Sequence, residues 1–184
     1  MNIIKTDIEG LLIIEPQVFT DNRGYFFESH NQAKLEQAGI NLTFVQDNES
    51  SSLLGVVRGL HYQRAPYAQT KLVRAVLGRI YDVAVDLRRG SPTYGKHYRI
   101  ELSDENKRQL LIPKGFAHGF SVLSERAILA YKCDAPYNRS AERGIAYNDP
   151  TLGIDWGVKQ AIVSDKDLVF PTWDKAESNF TYGL

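Results

Sequence analysis

The histidine at position 61 is the first candidate for acid–base chemistry. It lies in the stretch RGLHYQ (58–63), which is typical of a strand. Alternation along that strand gives two faces, one formed by Gly59, His61 and Gln63 and the other by Arg58 and Leu60. Because an unperturbed imidazole titrates near neutral pH, a histidine with room beside it can act as a general base. A lone strand histidine is more often a hydrogen-bonded structural group, so the residue by itself leaves both interpretations open.

A second histidine, His118, lies in LIPKGFAHGF (111–120) between Ala117 and Gly119. Pro113 and Gly115 predict a turn just before it. Small neighbours leave space around its ring, so His118 is a candidate to contact a ligand.

Two further side chains could take part in proton transfer or charge stabilisation. Lys71 stands at the head of the apolar strand KLVRAV (71–76), and its ordinary alternative is a charge that protects an edge strand. Tyr131 lies in AILAYKC (127–133), where alternation points it inward. An inward tyrosine is usually a core residue with a hydrogen-bonded hydroxyl. Cys133 is interpreted as a small buried hydrophobe.

Two charged segments flank these strands. FTDNRGYFFES (19–29) places Arg23 beside aromatic residues, and its planar guanidinium matches a phosphate or carboxylate. The ordinary alternative is a turn at 21–24 that leads into a strand with solvated charges. SDKD (164–167) is by default a solvated, charged turn.

The spacing of Gly55 and His61, followed by the stretch around His118, resembles the two signature stretches of the cupin superfamily, whose fold is a jelly roll. Metal-binding cupins have a second histidine two positions after the first and a carboxylate soon after. Here Gln63 stands at the second position and residues 66–68 are Pro, Tyr and Ala. Two imidazoles without supporting ligands are not a usual metal site. We therefore expect no metal and no cofactor.

The elements that must position these residues are mostly strands. Alternation is strict over 96–102 and clear over 80–88, where Tyr81, Val83, Val85 and Leu87 share a face. One early helix is predicted over 31–38, and short helices are allowed in the last thirty residues. Many short strands separated by turn residues predict an all-β sandwich or closed barrel. No repeat or linker divides the chain, so we expect a single domain over 1–184.

Composition excludes several classes of function. The chain has 184 residues, with 22 basic and 22 acidic side chains that cancel. No net charge attracts it to nucleic acid or to an anionic membrane, and no apolar run reaches the ~20 residues of a membrane span. A single cysteine fits a reducing compartment. The charged N-terminal residues lack an apolar signal core, so a cytoplasmic protein is expected.

Taken together, the motifs resemble those of one family, the dTDP-4-dehydrorhamnose 3,5-epimerases of nucleotide-sugar biosynthesis. The matching stretches occur in family order over about residues 1–170 and are FxDxRGxFxE (19–28), QxN (46–48), RGLHxQ (58–63), KLVR (71–74), PxGFAHGF (113–120), Tyr131 and KD (166–167).

The resemblance implies an all-β, cupin-type jelly roll and a cofactor-free isomerase that inverts C3 and C5 of a dTDP-4-keto-6-deoxy sugar. It implies that His61 is the base, oriented by Asp167, and that Tyr131 is the acid on the opposite face of the sugar. It also implies that Lys71 stabilises the enolate.

The resemblance further implies a set of substrate-binding residues. Candidates for the diphosphate or sugar hydroxyls are Arg23, Arg58, His118 and Lys166. Candidates for polar groups of the nucleotide or the sugar are Glu28, Gln46 and Asn48, and candidates to stack on thymine are Phe19 and Tyr137. It implies a homodimer in which the partner contributes Arg23 and Glu28 to each site, with a product destined for cell-surface polysaccharide.

Three alternatives remain at this point. The first is a 3- or 5-epimerase acting on another dTDP-4-keto sugar, with the same catalytic residues. The second is a metal-dependent cupin oxygenase or isomerase, which the missing ligands oppose. The third is a non-catalytic sugar-binding cupin, which would be expected to have lost the base or the acid.

Overall fold

The computed structural model describes residues 1–183. Its strands are, in chain order, β1 (Asn2–Lys5), β2 (Leu12–Glu15), β3 (Val18–Asp21), β4 (Gly24–Phe27), β5 (Gln46–Leu53), β6 (Val57–Gln63), β7 (Lys71–Leu77), β8 (Arg79–Asp86), β9 (His97–Ser103), β10 (Gln109–Ile112), β11 (Phe116–Val122), β12 (Arg126–Cys133) and β13 (Glu142–Gly144). Its helices are α1 (Gln32–Gln37), α2 (Asp165–Leu168) and a 3-10 turn, Trp173–Lys175. None of these helices has the length and apolar character needed to cross a bilayer.

Two antiparallel sheets form the body of the molecule. The six-stranded sheet has the order β1-β2-β10-β7-β12-β5, and the five-stranded sheet has the order β13-β6-β11-β8-β9. Neighbouring strands are rarely consecutive in the chain, because the chain crosses repeatedly from one sheet to the other, as in a jelly roll. The predicted all-β, cupin-type jelly roll is confirmed.

Strand β8 shows how the alternating pattern builds two apolar layers. Ile80 and Ala84 face the six-stranded sheet and join the core between the sheets. Val83 and Val85, on the face predicted from sequence, pack with Leu87 beneath the C-terminal segment that covers the other side. Full burial of each such side chain contributes about 1.5–3 kcal/mol.

Helix α1 closes part of the outer face of the six-stranded sheet. The Asn31 side chain accepts a hydrogen bond from the Lys34 amide and so caps the first turn. Leu35 packs against Ile14, Leu72 and Leu111. The helix predicted over 31–38 is confirmed, with residues 31 and 38 as its caps.

Among the strands of residues 1–183, β3 and β4 pair only with each other. Their hairpin turns at Asp21–Gly24, as predicted. It exposes Phe19, Tyr25 and Phe26, the last of these 66% exposed. Large exposed aromatic side chains on one hairpin form an apolar surface of the kind that partners cover.

Candidate active site

His61 and Asp167 form a hydrogen-bonded pair. They are 106 residues apart in the chain, and His61 Nε2 lies 2.7 Å from Asp167 Oδ1. The Gly59 amide donates to Asp167 Oδ2 at 3.1 Å, and Ser164 caps helix α2 by accepting from the Asp167 amide. Burial alone would raise the pKa of the Asp167 carboxyl, but these hydrogen bonds outweigh it and hold the pKa below its usual range. The default interpretation of 164–167 as a solvated turn is wrong for Asp167, which is 3% exposed.

An ionised Asp167 fixes the tautomer of His61. Because a carboxylate only accepts hydrogen bonds, the proton of a neutral imidazole resides on Nε2 and Nδ1 keeps its lone pair. The ring is about one-third exposed while its carboxylate is buried. Nδ1 of His61 is therefore the nitrogen that can accept a proton, with Asp167 stabilising the cation that forms.

A bulge in β6 corrects the predicted position of Arg58. Strand β11 pairs His118 with His61 and Phe120 with Arg58, so three steps on β6 match two on β11. The guanidinium of Arg58 donates to Ser52 on the opposite sheet, whereas Leu60 packs under the C-terminal segment. Simple alternation predicted that Arg58 and Leu60 share a face. That prediction is wrong, because the two side chains point to different sides of the sheet.

Gly59 makes this bulge possible. Its φ is +130°, and an added Cβ would lie 2.5 Å from the Cα of Gly119. Only glycine combines that backbone conformation with such close approach. The glycine also lets the residue-59 amide reach Asp167, so the bulge helps to hold the partner of His61.

His118 forms a second histidine–carboxylate pair, with Asp82. The two are buried, and His118 Nε2 lies 2.9 Å from Asp82 Oδ2. Burial lowers the pKa of His118, although Asp82 opposes that effect. The sequence interpretation did not single out Asp82. Its signal was a carboxylate on the strand face opposite Tyr81 and Val83, which is the face turned into the barrel.

Lys71 and Tyr131 lie on the opposite sheet. Lys71 Nζ is 5.9 Å from the centre of the Tyr131 ring. Strand β7 lies between β10 and β12 in the sheet, so the alternative of an edge-strand charge is wrong. Burial lowers the pKa of Lys71 and raises the pKa of Tyr131. The tyrosine is therefore protonated at neutral pH, as an acid must be.

Tyr131 points inward, as predicted. It packs against the core between the sheets and lies opposite Asn48 on β5. Cys133, two residues further on the same face, is 1% exposed and accepts a weak hydrogen bond from Asn48. Its interpretation as a buried hydrophobe is confirmed.

A polar network links several of the predicted binding residues. Gln46 donates to Asn48 Oδ1 at 2.9 Å and accepts from the Tyr137 amide at 2.8 Å. Glu142 accepts from the Tyr137 hydroxyl at 2.9 Å and from Lys166 at 2.6 Å. Glu142 was not predicted, because nothing in its local sequence separates it from an ordinary surface carboxylate.

Three predicted binding residues, Arg23, Glu28 and Phe19, lie at the surface of the single chain. Arg23 pairs with Asp21, and Glu28 pairs with Lys34 and accepts from Asn31. Phe19 is 54% exposed on the β3–β4 hairpin. The fold of one chain thus leaves this group on its surface rather than against His61 or Tyr131.

Gln63 occupies the position of a cupin metal ligand but has a different role. Its Nε2 donates to the Tyr67 carbonyl at 2.6 Å, and its Oε1 accepts from the Asn138 amide at 2.6 Å. Within residues 1–183, no group of three or more His, Cys, Asp or Glu side chains converges in a way that could hold a metal ion.

The two walls of the barrel therefore carry complementary groups. His61, Asp167 and His118 belong to the five-stranded sheet and its covering segment, and Lys71 and Tyr131 belong to the six-stranded sheet. This is the arrangement of a cupin-type enzyme that can remove a proton from one face of a ligand and supply one to the other.

Comparison with known proteins names the family. A family model described as dTDP-4-dehydrorhamnose 3,5-epimerase matches residues 5–175. The chain is 56% identical over 169 residues to the dTDP-4-dehydrorhamnose 3,5-epimerase of Shigella flexneri, covering 91% of this chain and 93% of the relative. The chain belongs to this family and is therefore an isomerase, as the motifs predicted.

Solved structures agree with the fold. A Legionella pneumophila dTDP-6-deoxy-D-glucose-3,5-epimerase in complex with dTDP-4-keto-L-rhamnose superposes with a TM-score of 0.91 at 50% identity, covering 95% of this chain and 93% of that chain. A 3'-monoepimerase from Streptomyces bikiniensis in complex with dTDP-quinovose gives a TM-score of 0.86 at 33% identity, covering 91% and 85%.

Proposed function

We propose that this protein inverts C3 and C5 of dTDP-4-dehydro-6-deoxy-D-glucose to give dTDP-4-dehydro-L-rhamnose, without metal or cofactor. The observation that carries the proposal is the placement of the His61–Asp167 pair and Tyr131 on opposite walls of one barrel. Inversion next to a ketone requires loss of a proton from one face and gain of one on the other. Membership of the 3,5-epimerase family supports the substrate.

Each inversion uses three groups. Nδ1 of His61 removes the proton from the carbon next to the C4 ketone, and the C–H electron pair moves to the C4 oxygen as an enolate. The Lys71 ammonium stabilises that negative charge, and a well-placed donor of this kind contributes about 3–4 kcal/mol. Tyr131 then protonates the carbon from the opposite face. Proton release from His61 and uptake by the Tyr131 phenolate restore the starting state.

The substrate is held by two kinds of contact. Arg23, Arg58, His118 and Lys166 contact the diphosphate and sugar hydroxyls, whereas Glu28, Gln46 and Asn48 contact other polar groups. Phe19 and Tyr137 stack on thymine. Support comes from a hydrogen-bonded group that begins at Asn48, which lies opposite Tyr131. The group continues along β5 to Gln46 and from there to the Tyr137 amide.

A cytoplasmic homodimer accounts for the exposed hairpin. Arg23, Glu28 and Phe19 lie on or beside β3–β4, whose aromatic surface is uncovered in a single chain. Insertion of the hairpin against a second copy would bury that surface and bring the three residues to the partner's site. The single free cysteine, Cys133, fits a reducing compartment. The product would serve synthesis of cell-surface polysaccharide.

One relative favours a second candidate function. The structural similarity to a 3'-monoepimerase shows that the same fold accommodates inversion at one carbon. A single epimerase would use the same base, acid and lysine. Position and mobility of the bound sugar, rather than the catalytic residues, would separate the two activities.

The test is incubation with dTDP-4-dehydro-6-deoxy-D-glucose in D2O, followed by NMR of the sugar. The proposal expects deuterium at both C3 and C5 and coupling constants of the L-rhamno configuration. Inversion at one carbon only supports the single epimerase. A sugar that binds without exchange or inversion would overturn both in favour of a binding protein.

A further inference from the structure

The ring of Phe170 packs against the imidazole of His61. The two ring centres are 5.5 Å apart and the rings are inclined at 74°, an edge-to-face contact. Phe170 is two residues beyond helix α2, which carries Asp167. The same short segment therefore touches His61 twice, once through a hydrogen bond and once through an aromatic ring.

Gly144 provides the space for that ring. It lies opposite His61 where β13 pairs with β6. A Cβ added at Gly144 would lie 2.4 Å from Cδ2 and Cε2 of Phe170, well inside van der Waals contact. The backbone of Gly144 is not in the left-handed region, so the glycine is required for space rather than for conformation.

The segment that carries Phe170 is fixed at both ends. Ser164 caps helix α2 at its start. Just after Phe170, the Pro171 carbonyl accepts a hydrogen bond from the Ala146 amide at 2.8 Å. These backbone interactions before and after Phe170 hold its ring beside His61.

A second contact on the imidazole is physically useful. The hydrogen bond that His61 Nε2 donates to Asp167 fixes the position of Nε2 but leaves the ring plane free to turn about the direction of that bond. An aromatic edge or face beside the ring removes this freedom. Nδ1, the proton acceptor, then points in one direction before the substrate arrives, which is the pre-orientation that fast proton transfer requires.

We propose that Phe170 is a positioning residue that sets the plane of the His61 imidazole, and that Gly144 makes room for it. The assignment rests on the proposed function, since it treats His61 as the base. It adds a residue that touches neither the sugar nor the reacting atoms and acts only through His61.

A double-mutant cycle tests the proposal, with Phe170→Ala, Gly144→Ala and the double variant. Phe170→Ala is expected to lower kcat about tenfold, with KM within about twofold. Gly144→Ala is expected to lower kcat at least as much, because its methyl group displaces the ring. The double variant should be no worse than Phe170→Ala alone, since the methyl group then meets no ring. Independent, multiplicative losses would overturn the proposal.

Two measurements separate this outcome from general damage. Phe44→Ala is the matched control, because Phe44 makes the same kind of edge contact with His30 at 5.6 Å and 78°. It should change Tm about as much as Phe170→Ala and leave kcat unchanged. If Gly144→Ala unfolds, the kcat and KM of Phe170→Ala decide: an effect on KM alone, or none, overturns the proposal.

NMR of the imidazole keeps the two hypotheses distinct. The His61 ring proton that bonds Asp167 should give a low-field resonance in the wild type and should shift or broaden in Phe170→Ala but not in Phe44→Ala. That result supports the positioning role of Phe170 even if the wild type inverts no sugar. Failure of the wild type to invert the sugar would contradict only the proposed function. An unchanged His61 resonance in Phe170→Ala overturns the positioning role.

Discussion

His61 and Tyr131 lie on strands of different sheets, His61 on β6 of the five-stranded sheet and Tyr131 on β12 of the six-stranded sheet. Nε2 of His61 is hydrogen-bonded to the buried carboxylate of Asp167. Burial raises the pKa of the Tyr131 phenol. The proposed base and the proposed acid therefore belong to different sheets of the barrel. Their different roles can be tested separately.

Tyr131→Phe keeps the ring and removes only the hydroxyl that we propose as the proton source. We expect deuterium from D2O to enter C3 or C5 while inversion falls by at least about 100-fold, because His61 can still remove a proton and return it to the same face. NMR of the sugar measures both. Tyr98→Phe is the control, since Tyr98 packs against the same core. Normal inversion by Tyr131→Phe would exclude Tyr131 as the acid.

His61→Asn removes the proposed base but leaves a polar side chain. We expect turnover to fall by about 10²–10⁴-fold or more, with dTDP affinity nearly unchanged. Coupled product assays and calorimetry of dTDP binding measure the two effects. His97→Asn, on β9, is the control and should keep full activity. More than about a tenth of wild-type turnover in His61→Asn would contradict the assignment.

Lys71 should give the reaction an alkaline limb. Because burial lowers the pKa of Lys71 below its ordinary value of 10.5, its positive charge is lost at a lower pH than that of an exposed lysine. Burial raises the pKa of Tyr131, so Tyr131 loses its proton at higher pH. We expect kcat to fall as pH rises through the lowered Lys71 pKa.

The variant Lys71→Met should remove this limb and lower kcat by about 10²-fold or more. Lys132→Met is matched to it, since Lys132 lies on the same sheet but pairs with Asp47 at the surface. A pH profile that is identical in wild type and Lys71→Met, apart from a scaling factor, would show that another group controls the limb.

Asp167 should also make stability depend on pH. The pKa of Asp167 is lowered in the folded protein, so folding stabilises its ionised form relative to its protonated form. The stabilisation is complete above the unfolded value near 3.9 and is lost as pH falls through the lower folded pKa. Asp167→Asn should cost about 1–3 kcal/mol near neutral pH, and less at the acid end of that window.

Urea unfolding at several pH values measures this difference. Asp165→Asn is the control, because Asp165 is in the first turn of the same helix but exposed. It should change stability by less than about 0.5 kcal/mol. A loss for Asp167→Asn that grows as the pH falls would reverse the expected sign and reject the argument.

Chelation should leave the reaction intact. The motif that begins at His61 has Gln63 in place of the second histidine of a cupin metal site and no carboxylate at 66–68, and Gln63 is held by backbone partners. We expect turnover after exhaustive dialysis against EDTA to stay within about 20% of the starting value, because the proposed mechanism uses only general acid–base groups of the protein. Elemental analysis of the dialysed protein is the control. Activity that is lost and restored by one metal ion would replace this mechanism.

Local sequence carries the features that depend on near neighbours. Alternation placed Val83 and Val85 on one face and turned Tyr131 inward, because side chains along any strand point to opposite sides. The helix predicted over 31–38 was placed correctly for a similar reason, since capping involves residues only a few positions apart. The ordered motifs around His61, Lys71 and His118 identified the family, and with it the jelly roll.

Tertiary structure decided the features that depend on long-range pairing. The bulge at Gly59 turned the exposed Arg58 toward Ser52 on the opposite sheet, and this shift exists only in the register between β6 and β11. By its local sequence Asp167 is a surface charge, and only the family resemblance implied its pairing with His61, which helix α2 brings about across 106 residues. Lys71 has the sequence of an edge-strand charge, but strand order put β7 inside the sheet. Strand order and register arise from contacts between distant segments, and no local pattern of residue types specifies them.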